Sequence, residues 1–452
     1  MTAAVHTLGW GAVARLGLVQ AALGAVVVLT TSTLNRVMVV ELALPALVPG
    51  LLVALHHAVQ LTRPRMGHGC DQGGRRTPWI VGGMATLALG GVLAALATVW
   101  MGTARVPGLA LATLAYLLIG LGVSAGGTSL LVLLAKRVVP ERRAGAATLV
   151  WLMMIAGFAI TAGVAGKLLD PYSPTRLLMV TTTVAVLAFV VTLLALWGVE
   201  GRGPDLATEP EATRQEFREA LRAVWADPQA RRFSLFVFLS MLAYSAQDLI
   251  LEPFAGAVMG YTPGQSTSLS GLQHGGVLVG MLMAASAGRQ WRGIRFGSLR
   301  GWMVSGCVVS ALAMAALAAS GLVGPAWPFR ETVFVLGVAN GAFSIAAIAS
   351  MMQLATDGPA RREGVRMGLW GAAQGVAFGL GGVIGTAACD LARWLFASPG
   401  AAYASVFAFE ALMFLLAARI AAGRAPALRI AAGPATPRAG GTSSPTGVEI
   451  AR

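Results

Sequence analysis

Leu177 to Val199 reads LLMVTTTVAVLAFVVTLLALWGV, a run without one formal charge. At 1.5 Å rise per residue, roughly 20 such residues cross about 30 Å of hydrocarbon. The run lacks the two-residue alternation of a barrel strand, so it predicts a helix that satisfies its own backbone in lipid. Working outward, runs of the same kind recur along most of the chain. The spans read as Val13–Leu34, Ala43–Leu61, Trp79–Met101, Gly108–Leu134, Gly145–Gly166 and Leu177–Val199, then Phe233–Pro253, Ser268–Gly288, Gly297–Ala319, Thr332–Leu354, Gly368–Thr386 and Ala402–Ala421. Twelve helices are therefore predicted, an all-α membrane protein.

Composition agrees. Of 452 residues 56% are hydrophobic and 12% charged, and mean hydropathy is +0.72, too apolar for a soluble domain to bury. The net charge of +14 does not indicate a nucleic-acid partner, because the arginines sit in short loops rather than on one soluble face. Cys70, Cys307 and Cys389 have no metal-ligand spacing, and no metal site is expected. No catalytic triad, phosphate-cradling loop or paired catalytic carboxylates appear, so no catalytic residue is named and no enzyme is expected. The first apolar run lacks a small-residue cleavage site and reads as a retained helix.

Assigning alternate loops to opposite sides puts about 27 Lys and Arg on one side and about 6 on the other. The basic side reads as cytoplasmic, predicting a multi-pass inner-membrane protein with both termini cytoplasmic. Its loops carry Arg63, Arg65, Arg75 and Arg76, then Lys136, Arg137, Arg142 and Arg143, then Arg289, Arg292 and Arg295, then Arg361, Arg362 and Arg366.

The organisation expected is a six-helix half over 1–199, a cytoplasmic linker over 200–232, a second half over 233–421 and a disordered tail over 422–452. In the linker, Thr213 and Glu216 form a capping-box pattern and Phe217, Leu221, Val224 and Trp225 recur at helical spacing, predicting a short surface helix. Shifting the chain by 219 residues lays Pro140-Glu-Arg-Arg-Ala-Gly145 on Pro359-Ala-Arg-Arg-Glu-Gly364, with Arg142 on Arg361 and Arg143 on Arg362. These are expected in the loops entering helices five and eleven. Trp151 falls on Trp370, Gly163 on Gly382 and Gly166 on Gly385. Six helices per repeat imply parallel repeats about an axis normal to the membrane.

After helix two stands Gly67-His-Gly-Cys-Asp71-Gln-Gly-Gly74-Arg75-Arg76. The pattern G-x-x-x-D-x-x-G-R-R resembles the signature cytoplasmic loop of the major facilitator superfamily. In that family its glycines allow close helix approach while its acid and bases hold one face shut. Here Gln72 follows the Asp where the family has Arg. The second-half counterpart keeps Gly293 and Arg295 but has Gln290 in place of the acid.

Three further segments narrow the resemblance: Thr33-Leu-Asn-Arg-Val-Met-Val-Val-Glu-Leu42, Gly73-Gly-Arg-Arg-Thr-Pro-Trp79 and Ser245-Ala-Gln-Asp-Leu-Ile-Leu-Glu-Pro-Phe-Ala-Gly256. Together they are similar to the PucC/LhaA family of photosynthetic bacteria, over roughly residues 13 to 421. The resemblance implies a major facilitator fold and a role in assembling light-harvesting complexes. It implies antenna polypeptides and bacteriochlorophyll as partners, the pigment bound transiently and no cofactor covalently.

Ionisable groups inside apolar spans are functional candidates, because each is costly at membrane depth. Helix one runs out into Asn35 and Arg36, and helix seven carries Gln247, Asp248 and Glu252, the two acids sharing a face at four-residue spacing. The expectation is that Arg36 pairs with Glu252 or Asp248 and clasps the halves on the periplasmic side, the alternative being anchoring among lipid headgroups. His274, and secondarily His56 and His57, are candidate ligands for a chlorin magnesium, helices two and eight being repeat-equivalent. Hydrogen-bonded or interfacial histidines are the plainer reading. Glu410, alone in helix twelve, suits a proton-coupling group or a contact with another membrane subunit. Helix eleven carries Gly371, Gly375, Gly379 and Gly382, read as a seam for close helix packing or as a flat surface for a chlorin ring or an antenna helix. The function expected is an antenna-complex assembly factor assisting pigment delivery or insertion. The rival is a secondary transporter of a small or amphipathic solute, with proton coupling as one form of it. Homo- or hetero-oligomerisation in the bilayer is left open.

Overall fold

The computed structural model describes residues 7–62, 75–200, 222, 225–286, 290–291, 294–295, 297–356 and 363–423. Twelve long helices follow in order: α1 Trp10–Glu41, α2 Leu47–Val59, α3 Thr77–Met101, α4 Arg105–Arg137, α5 Pro140–Leu169, α6 Pro174–Leu196, α7 Pro228–Ala257, α8 Pro263–Ala285, α9 Leu299–Val323, α10 Phe329–Thr356, α11 Glu363–Leu395 and α12 Pro399–Ala422. Ten are long and apolar enough to cross a bilayer by themselves. The other two are the short α2 and the polar α8, whose Ser266, Thr267, Ser270, Gln273 and His274 are all buried against neighbouring helices. A two-residue hairpin, β1 Gln290–Trp291 with β2 Ile294–Arg295, follows α8.

Local chemistry sets many of the ends. Ser173, Asp227 and Thr262 accept hydrogen bonds from the first turns of α6, α7 and α8, and each is followed by a proline whose missing N–H and fixed φ suit a first helical position. Thr262 and Gln265 complete a capping box. Ala43, in the left-handed region at φ 50°, stops α1.

Each half repeats one packing scheme. α1 packs on α5 and α6 as α7 packs on α11 and α12; α3 meets α4 and α6 as α9 meets α10 and α12; α2 meets α4 as α8 meets α10. Two seams cross between the halves, α5 on α8 and α2 on α11, and the repeat exchanges them. Each half has its own apolar core, one around Phe236, Phe254, Phe343 and Phe414, the other around Leu29, Leu87, Tyr116 and Ile119. Outward faces are apolar too, with Val186, Leu187, Leu194, Leu412 and Leu416 exposed as lipid requires. At α8 and α10, a Cβ on Gly280 would run into the Val338 carbonyl and one on Gly341 into that of Val277, so glycine lets these backbones touch.

Several ends differ from expectation. α1 does not stop at Leu34 but runs on to Glu41, keeping Asn35 and Arg36 inside the helix. Pro140 opens α5, so Arg142, Arg143 and Gly145 lie in its first turns rather than in a loop. Gly364 likewise lies in α11, while Pro359, Arg361 and Arg362 fall outside the described residues. So do Gly67, Asp71, Gly74 and Gly293, Cys70, the expected linker helix around Thr213 to Leu221, and the tail beyond 423.

Candidate functional site between the halves

α1 carries the stretch Thr30-Thr31-Ser32-Thr33-Leu34-Asn35-Arg36, polar but for Leu34, inside an otherwise apolar span, and its helix widens there into π turns at Leu29–Thr33 and Val37–Glu41. Side chains competing for backbone groups account for part of this. Thr30 and Thr31 donate their hydroxyls back to the Val27 carbonyl at 2.8 and 3.0 Å. Tyr116 of α4 then donates to the Thr30 carbonyl at 2.6 Å. A widened turn of this kind turns side chains toward a neighbour that a regular helix would turn elsewhere.

The neighbours are α7 and α8. Ser32 donates to Glu252 Oε1, Asn35 Nδ2 donates to the Leu249 carbonyl at 2.6 Å, and the Thr33 and Thr267 hydroxyls meet at 3.0 Å. Ser266 and Ser270 of α8 face the same Glu252 carboxylate. The bonds from Ser32, Thr33 and Asn35 join one half to the other, while those of Ser266 and Ser270 stay within the second half; sequence reasoning missed the five hydroxyl residues of this cluster. Their signal was available: serines and threonines clustered in two spans otherwise filled with apolar residues.

Arg36 departs from the expected pairing. Its ion pair is with Glu41 at the end of its own helix, and its bond to the second half goes to the Tyr261 carbonyl at 2.7 Å. A Cβ on Gly256 would meet the guanidinium, so glycine makes the seat that Arg36 occupies on α7. Five residues separate Arg36 from Glu41, and the π turn between them brings the two charges together; regular α-helical spacing concealed that partner.

Gln247 also departs from the expected clasp. It shares a stripe with Phe254, two turns on, whose ring packs against Phe329, Tyr403 and Phe407. It therefore faces the second half's own core, fully buried, with neither amide atom hydrogen-bonded among the described residues. Glu410 lies between Phe407 and Phe414, which contact Phe254 and Phe343, and is 1% exposed. Its carboxylate points into the second half rather than outward, which corrects the reading of it as a contact for another subunit.

Asp248 is half-buried and within electrostatic reach of His274 and Tyr244. His274 Nδ1 lies 2.8 Å from the Ser270 carbonyl. A carbonyl only accepts, so Nδ1 carries a proton in this bond, and in the neutral tautomer so fixed Nε2 would be the nitrogen with a lone pair. The ring meets Phe158 of α5 edge-on at 5.1 Å. In the other seam, His57 meets Phe378 of α11 at 5.7 Å, and Gln60 lies 2.9 Å from His56 and 3.4 Å from His57. Among the described residues no three His, Cys, Asp or Glu side chains could share a metal ion.

The seams end in carboxylates that the sequence reading passed over. Asp390, near the end of α11, accepts the backbone N–H groups of Ala46 and Leu47 at 2.9 and 2.8 Å, capping α2 from the other half. Asp170, just past α5, accepts the Thr262 hydroxyl at 3.0 Å where α8 begins. Of the α11 glycines, Gly381, Gly382 and Gly385 pack on α7, Gly379 lies near His57, and Gly375 faces open space.

At the opposite face, where α1 begins and α12 ends, Glu200 accepts the N–H groups of Arg76 and Thr77 at 2.6 and 2.7 Å and the Thr77 hydroxyl at 2.6 Å. It thereby ties the end of the first half to the start of α3. Burial pushes its pKa up, but the Thr77 hydroxyl, the two amides and the Arg76 charge outweigh this and hold it below the usual glutamate value. Arg76 is buried and Arg75 exposed.

The family model described as PUCC protein matches residues 33–424. The chain belongs to the PUCC family. It is 53% identical over 92% of its length to the "Bacteriochlorophyll synthase 44.5 kDa chain" of Rhodobacter capsulatus, covering 96% of that protein. It is 31% identical to "Protein PucC" of the same species, over 89% of this PUCC chain and 90% of the relative. Among solved structures it resembles a D-xylose–proton symporter, with a TM-score of 0.66, 14% identity and coverage of 92% of this chain and 98% of that one. A bacterial Spinster homologue in an inward-facing state gives a TM-score of 0.62 at 15% identity, with coverage of 90% and 96%. The PUCC chain thus has a major facilitator fold.

Proposed function

We propose that this PUCC-family protein is an integral-membrane assembly factor for bacterial light-harvesting complexes, which brings bacteriochlorophyll together with antenna polypeptides in the bilayer. It acts without catalysing a reaction, in the inner membrane, with the face holding Glu200 and the basic loops cytoplasmic. The observation that carries the reading is the 53% identity, nearly end to end, with a protein named for bacteriochlorophyll synthesis. His274 supports the pigment part: its Nδ1 is taken by the Ser270 carbonyl, so in the neutral ring Nε2 would be the nitrogen to meet the magnesium of a chlorin.

Gentle purification from a photosynthetic host should recover bacteriochlorophyll and antenna polypeptides with the chain, and deleting the gene should lower antenna absorbance while leaving solute uptake unchanged. Recovery of neither pigment nor antenna polypeptide would remove the proposal. A second reading, secondary transport of a small or amphipathic solute, is favoured by the likeness to a proton symporter and by the buried Glu410. Uptake of such a solute into vesicles, lost in Glu410→Gln, would replace the first reading with it.

A further inference from the structure

The oxygen-rich cluster joining α1, α7 and α8 is not used by the pigment role and stands independently of it. Glu252 is 3% exposed; one of its oxygens takes the Ser32 hydroxyl, and the other, Oε2, has no partner at full hydrogen-bond geometry among the described residues, with the Ser266 and Ser270 hydroxyls beside the carboxylate. Its closest cationic group, the Arg36 guanidinium, lies a turn further along and is held by Glu41 and the Tyr261 carbonyl. Asn35, fully buried, gives its amide N–H to Leu249, which orients Oδ1; that oxygen is unpaired as well. Ser266 spends its proton on the Pro263 carbonyl at 3.1 Å and keeps its lone pairs, and Ser270 faces the same carboxylate.

We propose that Glu252, Asn35, Ser32, Ser266 and Ser270 form a binding site for a monovalent metal cation, sodium by its donor set. The donors are hard oxygens from three helices, meeting where α1 departs from regular α-helix, a combination suited to an alkali ion at membrane depth. One carboxylate among neutral oxygens suits a single positive charge, whereas a divalent ion would need a second carboxylate. The titratable and charged groups around the cluster are Arg36 and Glu41 on α1, Asp248 and Glu252 on α7 and His274 on α8, three acids against one arginine and one histidine. An added cation offsets that excess and the cost of a buried, unpaired carboxylate.

The test is thermal unfolding of the full chain in detergent, at fixed pH and ionic strength, in sodium, potassium or choline chloride. Sodium alone should raise Tm saturably, by roughly 3 °C or more. The response should vanish in Glu252→Gln and need higher sodium in Ser270→Ala, and radioactive sodium should bind the wild-type chain saturably. An equal response to all three salts overturns the proposal, as does a sodium response kept in Glu252→Gln. So does a Tm that follows pH but not sodium, which would make the occupant a proton. Should Glu252→Gln not fold, wild-type sodium binding and Ser270→Ala decide.

Discussion

The two seams between the halves do the same work with different parts. In α5/α8 glycines of both helices meet the facing backbone, Gly166 on α5 set against Ser268 and Gly264, and Gly271 on α8 set against Gly163; in α2/α11 Gly50 on α2 is set against the Thr386 side chain. The 219-residue repeat lays Gly166 on Gly385 and Gly50 on Leu269, so the residues that permit close approach differ between the seams. The helix-end acids have diverged similarly. Asp390 caps two backbone amides, whereas Asp170 takes one hydroxyl. A histidine–phenylalanine contact occurs in each seam, Phe158 with His274 and Phe378 with His57. What the repeat preserves is which helices meet, not the residue that lets them.

The largest effect should come from placing a side chain on Gly166 or Gly50. Gly166→Ala drives a Cβ into the Ser268 amide nitrogen and the Gly264 carbonyl, both backbone, and should cost about 3 kcal/mol of stability. Removing the Ser268 hydroxyl should not restore it. Gly50→Ala meets only the Thr386 side chain, so it should cost about 1–2 kcal/mol and be largely recovered with Thr386→Ala. Thermal unfolding of the two double-mutant cycles checks the contrast, and equal rescue in both seams would break it.

Next in size, Asp390→Ala should cost about 2 kcal/mol by uncapping two charge-assisted amide bonds, against about 1 kcal/mol for Asp170→Ala. Unfolding measurements that reverse this order would show that the Asp170 end bears more of the closure than its one hydrogen bond suggests.

Within the first half, Glu200→Gln should cost about 1 kcal/mol at neutral pH. Because the folded-state pKa of Glu200 is depressed, its contribution is fully present above the unfolded-state value of about 4.3 and is lost as pH falls through the lower folded value. The stability gap between wild type and Glu200→Gln should therefore close on acidification. A gap that widens below pH 4 would contradict the capping role. The second half's α9 is tied differently: Arg300 donates to the carbonyls of Ala421 and Ala422 at the end of α12. Replacing Arg300 should leave no acid-dependent gap.

The smallest effects belong to the aromatic contacts. Phe158→Leu should cost about 1 kcal/mol and Phe378→Leu more, because Phe378 meets Tyr244 as well as His57 whereas Phe158 meets His274 alone among the described aromatic rings. Equal losses would mean that the Tyr244 contact adds nothing.

Much of this was legible in the chain itself. Charge-free runs of bilayer length announced the helices, and the repeated P-x-R-R-x-G announced the two halves. That Arg36 and Glu252 lie where helices one and seven face each other was legible as well, whereas Asp248 turns toward His274. The partners were harder. Matching identical residues at an offset of 219 paired Gly166 with Gly385, yet Gly385 packs on Ala246 inside its own half and Thr386 meets Gly50 across the seam. Identity locates a repeat but not contacts whose chemistry differs between the seams. Arg36 was assigned the acid of the facing helix, because nothing in residue order shows that α1 winds into π turns before Glu41.

The sequence by itself determined that this chain crosses a membrane about twelve times as two related halves, since the cost of unsatisfied backbone in lipid leaves few alternatives to helices of that length. Only the tertiary structure decided which polar groups meet. Hydrogen bonds and close packing act over a few ångströms, and a turn of π-helix or a one-residue shift of register is enough to redirect a side chain. That is why Glu252 faces three hydroxyls, Gln247 and Glu410 turn into the second half, and Glu200, unremarkable in a polar linker, caps α3.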